Sequence, residues 1–530
     1  MRILSLTIPQ HDTSVSLIDN DNIYCYEEER HNRIRSYKNY HNNFIVFPNK
    51  SFRYLNQKYN INNDTIDYVT SFNSDIIQFI KNQYNINIDE SKFIKVDHHE
   101  SHAGLAYYWS NFKEDTLVIV LDGGADNDLY GRYYIGCDGK LTEIGNLPTK
   151  NISFGLYYIM ITEFLGFKRA KDEGKIVGMS SHGKYDEFLY NLFTEYLKVD
   201  TETLLTPKID YHSMVKDFYK KWFDMFGGNY WKNRSNDIAY NAQLVFEDQI
   251  INLVNGLKNK FPNVKNVALA GGVFANIKVN KRINDLDWVN EVFIAPPMGD
   301  EGLSLGSAYI AKSKLIPDFK PFELKNVFFG SEIETHELYN FDHNLFETQD
   351  YNPEKIAEQI AYGKVVGFIQ GKYEHGPRAL GARSILAHPG LDSTYKKVND
   401  RLKRNDFMPF APSVLSEKSD EIFNCNKSKY TGEFMTMLYD TKPEWQNRIP
   451  AVVHPIDKTA RAQIVVKEKN PKYWEIINQF YQKTGIPLLL NTSFNTHGEP
   501  IVRTLEDGLK HLNNGIVDLL VSENKIFLKK

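Results

Sequence analysis

Apolar and polar positions alternate in short blocks from the first residue. Arg2 to Ile8 is an apolar run, a polar turn follows, and Ser14 to Ile18 is a second run. The turn Asp19-Asn20-Asp21-Asn22 then leads to a third run, Ile23 to Tyr26, which enters Glu27-Glu28-Glu29-Arg30. This pattern predicts three strands joined by tight turns. The same plan returns at 116–146, where TLVIVLD, LYGRYYIGC and LTEIGNL are separated by GGADND and DGK. A plan used twice predicts two related lobes.

Between about 237 and 260 the period changes, with Ile238, Ala242, Val245, Phe246, Ile250, Leu253, Val254 and Leu257 recurring at three- and four-residue steps, which predicts a helix. A buried strand (Val267 to Ala270), the pair Gly271-Gly272, a second helix, the strand VFIAPP and the loop MGDEG follow. Such alternation predicts an α/β core with its site at loop ends. Periodicity weakens near 313–355, around Pro317 and Pro321, as expected of a passage between domains. The strand KVVGFIQG (364–371) opens a second unit, with a helix at about 472–484, a strand from Ile486 to Leu490 and the loop NTSFNTHGEP.

With 530 residues the chain has room for two or three domains and is too long for a small binding module. Its 42% hydrophobic and 25% charged content is that of a folded protein rather than a disordered one. Lys plus Arg (63) nearly balances Asp plus Glu (67), so any nucleic-acid contact must be local. Cys25, Cys137 and Cys425 form no C-x-x-C pair, which fits a reducing, cytoplasmic setting. No apolar run has the length of a membrane span, and the start reads as a strand rather than a secretory signal.

His98 and His102 in HHESHAG are four apart, which on a helix puts both rings on one face. Asp122 ends a buried strand before Gly123-Gly124, and Asp300 lies in Gly-Asp-Glu-Gly after another. Two imidazoles and two carboxylates suit iron, manganese or zinc. Equally, Asp122 could cap a turn and Asp300 a helix. In LAGGVFAN, Gly271-Gly272 allows backbone to approach a phosphate, or forms only a tight turn. His11-Asp12 could position a phosphate or take a proton from a hydroxyl, or form an Asx-type turn. Arg378, Arg383, Lys403, Arg404 and Arg461, with Asn491, Ser493 and Asn495, offer ligands for an anion. The stretch 217–234 interleaves Phe218, Tyr219, Trp222, Phe223, Tyr230 and Trp231 with Lys220, Lys221, Lys232 and Arg234, suited either to stacking on bases or to a core-packed helical hairpin.

HDTS, EEERHNRIR, HHESHAG, LDGGAD, EGKIVGMSSHG, LAGGVFAN, APPMGDEGLSLGSA, EHGPRALGARSILAHP, MPFAPSVL and LLLNTSFNTHGEPIV occur in this order along nearly the whole chain. Together they resemble the O-carbamoyltransferase family of antibiotic and nodulation-factor biosynthesis (NodU/CmcH type). The resemblance implies an α/β protein: a duplicated N-terminal domain of the actin/sugar-kinase/chaperone-ATPase type over 1–345, and a YrdC-like C-terminal domain over 346–530. It implies carbamoyl adenylate formation from carbamoyl phosphate and ATP, with Mg for the ATP, in the second domain. Transfer to an acceptor hydroxyl follows in the first. The acceptor is a small sugar-like or natural-product molecule, or a hydroxymethylated base of DNA or RNA.

By the same resemblance His98, His102, Asp122 and Asp300 bind the metal, and His11 activates the hydroxyl. Gly271, Gly272 and Asn276 face the adenylate, and Arg378, Arg383, Lys403, Arg404, Arg461, Asn491, Ser493 and Asn495 bind the anionic substrates. Three positions depart from the family pattern: Arg35, a candidate catalytic residue, replaces a common Lys, Met408 replaces an Arg before PFAP, and Ser181-His182 replaces Pro-Tyr. A tRNA threonylcarbamoyl transferase and a silent ATP-binding protein are the competing readings.

Overall fold

The computed structural model describes residues 1–530 except 10, 36–47, 127, 228–232 and 405–408. The first five strands are β1 (Arg2–Thr7), β2 (Ser14–Asp19), β3 (Asn22–Glu27), β4 (Tyr68–Ser71) and β5 (Phe93–Lys95). They form a sheet in the order β3-β2-β1-β4-β5, antiparallel across the first two pairings and parallel across the last two. The next five are β6 (Thr116–Asp126), β7 (Leu129–Cys137), β8 (Lys140–Pro148), β9 (Asn266–Ala270) and β10 (Glu291–Ile294). Their order, β8-β7-β6-β9-β10, and their directions repeat the first sheet step for step.

Strand alternation decides which layer each residue joins. On β6, Val118 and Val120 point into an apolar layer shared with Ile3, Ala103, Leu105, Leu305 and Ile310. Leu117, Ile119 and Leu121 point the other way, toward the helices Phe154–Phe164 and Ser235–Lys260. The layer between the sheets therefore contains the helices His98–Tyr108 and Leu303–Leu315. Their close approach depends on small residues, since a Cβ on Gly306 would lie 1.9 Å from the Ser101 carbonyl oxygen.

A third sheet takes all its strands from residues 346–529. They are β11 (Phe346–Asp350), β12 (Val366–Ile369), β13 (Arg383–Ala387), β14 (Ala411–Leu415), β17 (Gln463–Val465), β18 (Leu488–Ser493), β19 (Leu519–Ser522) and β20 (Lys525–Lys529), while β15 (Tyr439–Asp440) and β16 (Thr459–Ala460) form a separate ribbon. The order is β11-β20-β19-β12-β13-β18-β14-β17. The motif read from sequence as a loop from Asn491 onward begins inside β18, because Asn491, Thr492 and Ser493 pair with Leu386, Ile385 and Ser384.

The outer edge of β10 is closed by hydroxyls from the C-terminal part. Ser428 Oγ accepts from Val292 N–H at 2.9 Å and Thr431 Oγ1 accepts from Ile294 N–H at 3.0 Å. At the edge of the first sheet Cys25 N–H donates to Phe329 C=O at 3.0 Å.

The aromatic-basic stretch lies on the helix Tyr211–Phe226, with Tyr230, Trp231 and Lys232 outside the described residues. Phe218 and Trp222 are buried, with ring centroids 4.9 and 4.8 Å from Phe164, whereas Tyr219 and Phe223 are exposed. Lys221 pairs with Glu195 and Asp217. Two of the rings read as stacking surfaces thus belong to the core. Among the described residues no helix is long and apolar enough to cross a membrane.

Candidate metal centre and arginine cluster

Asp97 caps the helix His98–Tyr108 by accepting from His99 and Glu100 N–H. This places His98 in the first turn and His102 one turn on, with ring centroids 5.0 Å apart. Asp122 stands where β6 leaves register with β7, between Leu121 and Asp126. Its Oδ1 accepts from Gly123 N–H at 2.7 Å, and its Oδ2 faces the histidines. Asp300 opens the 3₁₀ turn that leads into Leu303–Leu315.

The structure brings the four together, with one ligand atom of each within 4.8 Å of every other. His98 Nε2 lies 3.3 Å from Asp122 Oδ2 and 3.6 Å from Asp300 Oδ1, and His102 Nε2 lies 3.7 and 3.5 Å from the same oxygens. His102 Nε2 is buried and has no hydrogen-bond partner among the described residues. Donors held roughly 3.4 Å apart are what bonds of about 2.1 Å to one tetrahedral ion require. The residues therefore fit a divalent ion. Burial opposes charge on Asp122, but His102 and His98 hold its carboxyl well below the usual range. Burial likewise opposes charge on His102, and Asp122 and Asp300 raise it.

His11 Nδ1 lies 3.0 Å from Asp12 Oδ2 and 3.9 Å from Asp300 Oδ2, at the rim of this set. Burial lowers its pKa, but the bond to Asp12 and the charges of Asp300, Asp12 and Asp122 raise it further, to about 9. A cation on the carboxylates would reverse part of that rise. Gly271 (φ +97°) sits directly behind Asp122, where a Cβ would meet Leu121 O at 2.0 Å. A Cβ on Gly272 would lie 3.3 Å from Asp122 Oδ1. Asn276 is occupied otherwise than expected: it caps the helix Ile277–Asn284 and exchanges amide hydrogen bonds with Gln243.

Of the C-terminal cations, Arg378, Arg404 and Arg461 act on one another. Burial lowers the Arg461 guanidinium well below its usual value, and Arg378 and Arg404 lower it further. Arg378 falls to about 10 through burial and the charges of Arg404 and Arg35, with Glu301 opposing. The Nε atoms of Arg378 and Arg461 are buried without a hydrogen-bond partner among the described residues. Arg404 donates to Thr492 Oγ1 at 2.9 Å. Arg378, Arg404 and Arg461 thus gather three guanidinium groups, the donor type that holds phosphates and carboxylates bidentately.

The other five expected ligands are placed differently. Arg383 is corrected to a scaffold residue, because its five N–H groups donate to the carbonyls of Arg503, Gln370, Ala382, Ser331 and Gly371. Asn491 Nδ2 is taken up by Ala379 O, Ser413 Oγ and Gln463 Oε1. Lys403 is exposed at the left-handed end of the helix Asp392–Leu402. Ser493 is half-buried at the end of β18, and Asn495 Nδ2 closes the turn to Glu499. Arg35 is exposed, and Met408 lies outside the described residues.

Sequence reasoning missed a small cleft between the two parts. Val177, Ile277, Phe410 and Leu438 wall it, while Lys278, His454, Asp457 and Arg461 supply its polar lining. Ser181, noted as a departure, donates to Asp457 Oδ2 at 2.6 Å across it. Polar residues drawn from three separate parts of the chain leave no spacing signal to read. Glu301, the neighbour of Asp300, was visible in MGDEG but had no reason to be separated from it.

Residues 77–309 match the family model described as Carbamoyltransferase N-terminus, and residues 357–529 the one described as Carbamoyltransferase C-terminus. An uncharacterised protein of Methanocaldococcus jannaschii is 33% identical over 554 residues, covering 98% of this chain and 98% of its own. The nodulation protein NolNO of Sinorhizobium fredii is 28% identical over 575 residues, covering 99% of this chain and 80% of its own. Among solved structures, HypF of T. kodakarensis aligns at a TM-score of 0.37 and 14% identity, over 60% of this chain and 48% of that one. With both family models matched in order and a relative aligned end to end, the chain belongs to the carbamoyltransferase family and is an enzyme of that class.

Proposed function

We propose that the chain is an ATP-dependent O-carbamoyltransferase, divided into a YrdC-like activating domain (346–530) and an actin-type transfer domain (1–345). The observation that carries this reading is the gathering of the Arg378, Arg404 and Arg461 guanidinium groups, with the Nε atoms of Arg378 and Arg461 buried and without a hydrogen-bond partner among the described residues. Carbamoyl phosphate and ATP are both polyanions, and guanidinium groups neutralise their phosphates and hold them in line. Water cleaves carbamoyl phosphate to carbamate and phosphate, and a carbamate oxygen then attacks the α-phosphorus of ATP, forming carbamoyl adenylate and releasing pyrophosphate. The acceptor hydroxyl then attacks the carbamoyl carbon, and AMP leaves.

For the transfer step, His11 is held through Nδ1 by Asp12, leaving Nε2 to meet the acceptor hydroxyl. The Gly271-Gly272 backbone, beside Asp122, would approach the adenylate phosphate without a side chain in the way. His98, His102, Asp122 and Asp300 would hold a divalent ion, iron, manganese or zinc, which when bound supplies positive charge for a polarised carbonyl. The burial of Phe218 and Trp222 favours a small hydroxylated acceptor over a nucleic acid. The test is to incubate metal-loaded protein with ATP, labelled carbamoyl phosphate and a panel of sugars, natural-product alcohols and hydroxymethylcytosine DNA. Label in one acceptor together with AMP and pyrophosphate supports the reading. Absence of carbamoyl-phosphate-dependent pyrophosphate release sinks it.

A further inference from the structure

The metal set and the arginine cluster meet where the loop 374–378 lies on the loop 296–301. A Cβ on Gly376 would be 3.4 Å from Pro296 O and from Pro297, so backbone touches backbone there. Arg378 is two residues beyond Gly376, and Asp300 is three beyond Pro297. The contact is held by a third element, the end of β3 and the helix Glu28–Asn32 after it.

Glu27 and Arg30 grip Gly376 by both of its backbone groups. Glu27 Oε1 accepts from Gly376 N–H at 2.5 Å, and Arg30 Nη2 donates to Gly376 O at 3.2 Å. The two side chains are joined by Arg30 Nε to Glu27 Oε2 at 3.0 Å. His375 Nδ1 lies 2.8 Å from Glu27 Oε1, and its Nε2 lies 3.5 Å from Cys25 Sγ. Past Arg378, Glu374 Oε1 accepts from the amides of Leu380, Ala382 and Arg383. Glu27, Arg30, Glu374 and His375 are all buried, Arg30 and Glu374 completely.

A buried ionic network is a poor source of net stability, because desolvation offsets most of its attraction. What it supplies is direction, since a guanidinium fork and a carboxylate fix the plane of the peptide they hold. We infer that Glu27 and Arg30 are positioning residues for Arg378: they fix the loop that carries it against the loop that carries Asp300. This inference rests on reading the arginine cluster as the anion site, and it adds residues that touch no substrate.

The experiment is pyrophosphate binding to the full-length protein, measured by calorimetry. Wild type is compared with Glu27→Gln, Arg378→Ala, the double variant and Arg30→Lys, with melting temperature recorded for each. Glu27→Gln is expected to weaken binding about tenfold, and to weaken it no further in the Arg378→Ala background, as coupling through one residue requires. Arg30→Lys, which keeps the charge but loses the fork, gives the same direction and serves if Glu27→Gln does not fold. A purely structural role would lower melting temperature and leave losses additive. Additive losses, or unchanged affinity in both clamp variants, overturn the inference while leaving the anion site standing. No pyrophosphate binding by wild type overturns both. Coupled losses without carbamoyl-phosphate-dependent pyrophosphate release support the positioning role and remove the proposed reaction.

Discussion

Arg378 and Arg383 stand five residues apart in one motif and do opposite things. Arg383 gives every donor to backbone carbonyls, whereas Arg378 keeps a buried Nε that has no partner among the described residues, beside a second and a third arginine. Arg378→Ala or Arg461→Ala is therefore expected to raise the KM for carbamoyl phosphate about 10- to 100-fold, the range for losing a charge-assisted contact. Melting temperature should hold or rise, since like charges are separated. Arg383→Ala should instead cost about 3 kcal/mol or more by leaving buried carbonyls unpaired. Steady-state kinetics and denaturant titration on the same three variants decide between the assignments.

Loss of one metal-site ligand should separate the two half-reactions. His102→Ala and Asp300→Asn are expected to lower bound metal, measured by elemental analysis, and to abolish carbamoyl transfer. Pyrophosphate release should survive, because Arg378, Arg404 and Arg461 are left in place. Treatment of wild type with a chelator should mimic the variants. Equal loss of both activities would contradict the division of labour.

Glu433 gives a pH signature away from either site. Burial raises its carboxyl from the ordinary 4.5 to about 7, against the pull of Lys469, whose Nζ is 2.8 Å away. Its folded value thus lies above its unfolded one, so its contribution is complete below about 4.5 and is lost as pH rises through about 7. Glu433→Gln, always neutral, should therefore gain melting temperature relative to wild type between pH 5 and pH 8. Lys469 keeps Glu323 as a partner in the variant. A difference that stays flat with pH would show that Glu433 is charged throughout.

The pair Gly271-Gly272 offers a test of backbone strain. At φ +97°, with Leu121 O 2.0 Å from any added Cβ, Gly271→Ala cannot be accommodated without moving β6 or the loop. A loss of more than about 3 kcal/mol is expected from such a clash. Because Asp122 follows Leu121, metal affinity should fall with stability. Gly124→Ala, where nothing lies within 4 Å of the added carbon, is the matched control.

What could be read from sequence was what repeats or what is short in range. Strand alternation marked the first three strands of both lobes, and the four-residue step of His98 and His102 fixed their shared face before any fold was known. Spacing could not tell an arginine that binds ligand from one that binds carbonyls, since Arg378 and Arg383 differ only in what surrounds them. For the same reason spacing could not show that the Asn276 and Asn491 amides also bond within the fold, to Gln243 and to Ala379, Ser413 and Gln463. The clamp of Glu27, Arg30 and Gly376 joins positions about 350 residues apart, and the acidic run that contains Glu27 looks like a solvated face.

The hydroxyl seal on β10 sets a limit on dissecting the protein. Ser428 and Thr431 occupy the amides of Val292 and Ile294, which would otherwise form an open strand edge. A fragment ending in the passage near residue 345 would uncover that edge along with Phe293, which stacks on Tyr430. Uncovered apolar edges recruit further strands. The isolated N-terminal part should therefore self-associate into aggregates, so the halves are better studied by variants of the intact chain than by expressing them apart.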